Sequence, residues 1–141
     1  MTSISVKRTT HQVENRSWLA SQHGTDHKPS VTLDVALFDQ ATHYPNGYVA
    51  SGIVVGKVTA TGLCGPYDED ATDGRQIAAG HLYHSVNVVG ETKVGNAIIV
   101  HGFVSESRLP AGHGLDNTAK GHLRQVGYET PYVAPPVGSG D

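Results

Sequence analysis

The run Gly65-Pro66-Tyr67-Asp68-Glu69-Asp70-Ala71-Thr72-Asp73-Gly74, followed by Ile77-Ala78-Ala79-Gly80-His81-Leu82-Tyr83-His84-Ser85-Val86, decides how this chain is read. Glycine and proline corners bracket a cluster of carboxylates, and an apolar, β-prone segment comes directly after. That pattern predicts a tight acidic turn feeding a β-strand that runs from about Ile77 to Val89. The stretch holds no nucleophile–base pair, no metal-ligand spacing and no phosphate loop.

Strand signals extend on both sides of it. In Val31-Thr32-Leu33-Asp34-Val35-Ala36-Leu37-Phe38 the apolar residues Val31, Leu33, Val35 and Leu37 alternate onto one face, as a half-buried strand requires. Tyr44-Pro45-Asn46-Gly47 supplies turn chemistry, because proline fixes φ and Asn-Gly tolerates positive φ. Gly52–Val58 reads as the next strand, and Thr61-Gly62 and Gly65-Pro66 mark turns after it. Gly90-Glu91 and Gly95-Asn96 bracket another connection. Ala97-Ile98-Ile99-Val100-His101-Gly102-Phe103-Val104 is apolar on both faces, which predicts one strand central in its sheet.

After Leu109-Pro110 the period changes. Leu115, Ala119, Leu123 and Val126 fall on one helical face, with Asp116 as N-cap, Gly127 as the stop and Arg124 placed well against the helix dipole. Gly121 inside this segment costs about 1 kcal/mol relative to alanine, so the helix must lean on the sheet. The fold class is therefore mainly β (α+β): a small β-rich domain over 31–129 with one short C-terminal helix.

Two further segments flank that domain. Residues 1–30 are polar and poor in aliphatics, and read as a flexible N-terminal arm that orders on a partner. Its apolar residues Ile4, Val6, Val13, Trp18 and Leu19 are its candidate contacts. Trp18 has two readings that the sequence does not separate: an interface anchor, or a side chain folded back on its own domain. Asn15-Arg16-Ser17 matches a glycosylation sequon, read as chance because the N-terminus shows no secretory h-region. Residues 130–141 carry three prolines and two late glycines and read as an extended tail.

Composition narrows the function classes. A chain of 141 residues predicts one domain with a modest core. Its net charge of −3, with scattered Lys and Arg, argues against a nucleic-acid partner. Cys64 is the single cysteine, so no internal disulfide forms. No apolar run is long enough to span a bilayer, and the chain reads as soluble and made in a cytoplasm.

Catalytic and metal chemistry find little support. The nine histidines invite a metal reading, yet His81 and His84 point to opposite faces of a strand, and His113 and His122 do not stack on one helix face. Asp68, Glu69, Asp70 and Asp73 fail the calcium-loop spacing: with Gly74 as the sixth residue, Ala71 stands third and Gly80 replaces the closing glutamate. These carboxylates also share one loop rather than two walls of a cleft. Cys64 lacks local support for a Cys–His nucleophile, Gly112-His113-Gly114 lacks the third glycine of a dinucleotide fingerprint, and no Gly-x-Ser-x-Gly occurs.

The ordered set of Pro66-Tyr67-Asp68, Ala71-Thr72-Asp73-Gly74, Ile77–Leu82 with Gly80 and Leu82, Gly102-Phe103-Val104, Leu109-Pro110 and the helix at Asp116–Val126 resembles the lambda-type bacteriophage head decoration proteins, or capsid stabilising proteins. The resemblance covers roughly Gly52 to Tyr128. It implies a β-rich domain that assembles as a homotrimer and sits on the outer capsid surface at three-fold and quasi-three-fold positions. It further implies N-terminal arms that contact the major capsid protein, and no catalytic residue; no metal or cofactor is expected. The expected location is the virion surface, reached from the host cytoplasm during assembly. On this reading, removing residues 1–19 leaves a folded trimer that no longer binds capsids.

Two readings from other classes stand beside it. One is a small metal-dependent β-barrel enzyme with His81, His101 and His113 as ligands. The other is a glycan-binding adhesion module with Tyr44, Tyr48, Tyr67 and Tyr83 as stacking surfaces.

Overall fold

The computed structural model describes residues 14–129. In chain order the strands are β1 (Ser30–Asp34), β2 (Tyr48–Val49), β3 (Val54–Lys57), β4 (Cys64–Pro66), β5 (Ala78–Leu82), β6 (Val86–Asn87), β7 (Lys93–Ile99), β8 (Gly102–Ser105) and β9 (Val126–Glu129). Two short helices, α1 (Gln40–His43) and α2 (Asn117–His122), and two 3-10 turns join them. Five strands close into a barrel in the order β1-β4-β3-β5-β7. The closing contact is a parallel pairing of β1 with β4 at Leu33 and Cys64, while the other neighbours are antiparallel. Closure removes the free edges that so short a sheet would otherwise expose.

The alternating run at Val31 ends as a strand sooner than its periodicity implies. Asp34 accepts the Ala36 amide (3.2 Å) and starts a 3-10 turn at Val35–Leu37, so Val35 reaches the core from a turn rather than a strand. A second aspartate, Asp39, caps α1 by accepting the Thr42 amide (3.1 Å) and hydroxyl (2.8 Å). That helix is absent from the sequence reading, which allowed one helix only. A single turn leaves too few residues for a periodic pattern.

The apolar run Ala97–Val104 is two strands in two sheets, not one central strand. β7 ends at Ile99, and the chain turns at His101 and Gly102 into β8, which pairs in parallel with β9. Gly102 has φ +135°, and a Cβ there would lie 2.5 Å from the His23 carbonyl oxygen, so this corner needs glycine. The predicted strand from Ile77 to Val89 also divides, into β5 and β6, with Tyr83–Ser85 between them.

The two sides of the barrel wall feed two cores. Leu33, Val35, Phe38, Val49, Ile53, Val55, Cys64, Leu82, Val88 and Ile98 fill one cluster. Val54, Ala78 and Ile99 join Tyr67, Val104, Ala119, Leu123, Val126 and Trp18 in the second, under α2, β8 and β9. The predicted helical face is therefore buried, but α2 stops at His122. Val126 continues the apolar stripe from within β9, not from the helix.

Candidate functional site

The acidic turn is built to be rigid. Asp73 pairs with Arg75 (3.0 Å), and its backbone carbonyl accepts the Thr59 amide (2.9 Å). Arg75 accordingly helps hold the Asp73 carboxyl below the usual carboxylate range, its backbone hydrogen bond being the largest cause. Gly74 has φ +118°, and a Cβ there would collide with the Lys57 carbonyl oxygen, so the turn lies flush on the end of β3. Pro66 and Tyr67 are buried, Thr72 is exposed, and Gly80 and Leu82 are buried on β5. The Tyr67 hydroxyl donates to Asp116 (3.1 Å), and His122 Nδ1 accepts the Ala78 amide (3.1 Å). The residues that carry the resemblance thus dock α2 onto the barrel. The Asp68–Asp70 tip is solvent-facing.

The segment 14–29, read from sequence as the inner part of a flexible arm, packs on the body. Trp18 is fully buried in the second core and donates its indole N–H to Ser51 Oγ (3.0 Å). Of the two readings of Trp18, the structure places it folded back on its own domain. Leu19 bridges Val104, the Ser105 amide donates to the Trp18 carbonyl (2.6 Å), and the Ala20 amide donates to the Phe103 carbonyl (3.0 Å). Glu14 accepts the Ser85 amide (2.9 Å) and pairs with Arg16 (2.9 Å). Arg16 in turn donates to the Tyr83 carbonyl (2.9 Å) and lies 4.0 Å from the Tyr83 ring centroid. The sequence hid this because the anchoring is polar and long-range, with one large apolar residue. A segment poor in aliphatics reads as disorder when such partners are far along the chain. Ile4, Val6 and Val13 lie outside the described residues, as does the Pro-rich tail.

This packing also sets Trp18 near the end of β9. Ser105 at the end of β8 bonds Trp18 on one side and is in register with Glu129 of β9 on the other. Trp18 and Glu129 are therefore about two strand spacings, or about 10 Å, apart.

The rival chemistries lose their geometry. Both ring nitrogens of His81 are engaged inside the protein, with the Gly52 carbonyl (2.8 Å) and the Tyr128 hydroxyl (2.7 Å). His113 Nδ1 accepts the Leu115 amide (2.9 Å), and the His101 ring packs on His23 with centroids 4.8 Å apart. Among the described residues no group of three His, Cys, Asp or Glu side chains is placed to hold a metal ion. Of the four candidate stacking tyrosines, Tyr67 is buried and Tyr83 is covered by Arg16 and Lys28. Cys64 is buried inside the barrel, and burial pushes its thiol up. Among the described residues no helix is long and apolar enough to cross a membrane.

The family model of the bacteriophage lambda head decoration protein D matches residues 18–125, most of the chain. The chain belongs to that family. It is a structural protein of the phage head, located on the capsid surface of the virion, and not an enzyme. The match begins at Trp18 and ends at Gln125. No single curated protein matches the chain.

Proposed function

We propose that this decoration protein binds as a homotrimer at the three-fold and quasi-three-fold positions of the mature head and stabilises the shell against internal genome pressure. Family membership supports the capsid partner. The observation that supports a clamp is the closed five-strand barrel with the segment at Trp18 anchored beside the end of β9, a preformed body that the residues outside it can tie to the shell.

In this mechanism residues 1–13, with Ile4, Val6 and Val13, contact the major capsid protein. Ser3-Ile4-Ser5-Val6-Lys7 alternates in a way that suits strand addition to an exposed sheet edge. Three arms on one trimer raise the effective concentration of each, and avidity then rises about 10²- to 10⁴-fold over a single arm. A ligand that binds only the mature lattice stabilises it by mass action, because every bound copy must leave before the shell ruptures. The test is the solution mass of the free protein together with cryo-EM maps of heads with and without it. Three copies in solution, and added density at three-fold positions, are expected. A monomer, or density elsewhere on the shell, refutes the proposal.

A further inference from the structure

Trp18, His81 and Tyr128 come from three separate segments and meet in one buried stack. Trp18 lies in the described N-terminal segment, His81 on β5 of the barrel, and Tyr128 on β9. The Trp18 and His81 rings stack with centroids 5.4 Å apart at 30°. His81 is fully buried. Its Nδ1–H donates to the Gly52 carbonyl (2.8 Å), which leaves Nε2 to accept the Tyr128 hydroxyl (2.7 Å). The imidazole is held neutral by burial, and a proton on Nε2 would turn Tyr128 from donor to acceptor and leave a charge in a fully buried site.

We propose that this stack is an acid-sensitive latch, holding the N-terminal segment at Trp18 against the body and releasing it, with the barrel still closed, when His81 takes a proton. The barrel has a core cluster without Trp18, and among the described residues the Trp18–Ala20 backbone is tied to β8 by one single-residue bridge made of two amide bonds. That makes this segment a candidate for local opening at lower free energy than the whole fold.

The surroundings of His81 offer no countercharge. Its register partners on β3 and β7 are Val54 and Ile99. Gly52 and Ser51 contribute backbone and a hydroxyl only. From the loop before α2 comes His113, whose charged form opposes a second proton on His81. From β9 comes Tyr128, and beyond it Glu106 is already paired with Lys120 (2.7 Å). Glu14 and Arg16, on the Trp18 segment, pair with each other at Tyr83 and Ser85. Burial accordingly holds His81 down to about 4 in the closed state, against about 6.5 once exposed. A folded value below the exposed one means the closed state is fully favoured above pH 6.5 and loses ground as pH falls. The opening constant then rises about tenfold per pH unit until His81 titrates in place.

The readout is quencher access to Trp18, the chain's single tryptophan, in the full-length free protein titrated from pH 7 to about pH 4, with far-UV circular dichroism recorded alongside. No capsid is involved, so the result is independent of the trimer and lattice proposals. The latch predicts that access rises about tenfold per pH unit below 6.5 while the β signal holds. His81→Gln keeps a donor and an acceptor but does not take a proton, and its access is expected to be flat over this range. Access that rises equally in His81→Gln overturns the latch, as does access that stays low until the β signal is lost. Should His81→Gln fail to fold, Tyr128→Phe decides: it removes the bond to Nε2 and is expected to raise access roughly five- to tenfold at every pH. Unchanged access in that variant also overturns the latch.

Discussion

Tyr67 and Ala119 share one oxygen of Asp116: the phenol donates to Oδ1 at 3.1 Å and the Ala119 amide donates to the same atom at 2.7 Å. A residue of the acidic-turn motif thereby completes the N-cap of a helix far along the chain. Asp116→Ala is expected to cost about 1–2 kcal/mol and Tyr67→Phe about 1 kcal/mol in chemical denaturation. Because they act through one oxygen, the double variant should cost less than the sum. Full additivity contradicts the shared role.

Burial first, and the Asp116 carboxylate second, push the Tyr67 phenol up to about 12. A group whose folded value is raised contributes its stability below its unfolded value, near 10, and loses it as pH climbs. Thermal melting is thus expected to fall above pH 10 in the native protein and less steeply in Tyr67→Phe. Equal alkaline slopes in the two proteins would contradict this cause.

Trp18→Ala should destabilise the free protein by about 3–5 kcal/mol, since it empties a fully buried site and removes the indole donor to the Ser51 hydroxyl. Differential scanning calorimetry gives the answer directly. An unchanged melting temperature would mean the indole lies outside the body, as an interface anchor would.

The two glycines Gly74 and Gly121 should respond in opposite directions to alanine. At Gly74 the new Cβ meets the Lys57 backbone, and a loss of about 1–3 kcal/mol is expected. At Gly121, within α2, nothing lies within 4 Å of the new Cβ, and a gain of up to about 1 kcal/mol is expected. Denaturant midpoints of the two variants check both signs.

What the sequence made legible is what local chemistry writes. The Asp116 cap, the Tyr44–Gly47 turn and the buried faces at Leu33 and Ala119 all rest on residues within a few positions of one another. The misread places depend on distant partners. Val126 kept the helical period yet pairs with Gly102 in a sheet, and the Ala97–Val104 run divides at a corner where the distant His23 carbonyl leaves room only for glycine at position 102. Arg16 reaches Tyr83 across 67 positions, which no local pattern announces. Of the motif residues, Pro66, Tyr67, Gly80 and Leu82 are buried, and Asp73 and Gly74 fix the turn against the end of β3.

Truncation separates arm from body. Trp18 is part of the second core, so removing 1–19 would take it from that core, whereas removing 1–13 leaves the core residues in place. The 1–13 truncation is expected to melt within about 0.5 kcal/mol of the full chain while losing most of its capsid occupancy. Normal occupancy on gel-purified heads refutes the arm as the capsid contact.

The claim at the centre of this account is that the protein strengthens the head by binding it and does no chemistry. The most direct measurement is the temperature at which filled heads release their genome, compared with and without saturating protein. The account predicts release at a higher temperature when the protein is bound, with a shift that grows with occupancy. An identical release temperature at full occupancy contradicts it.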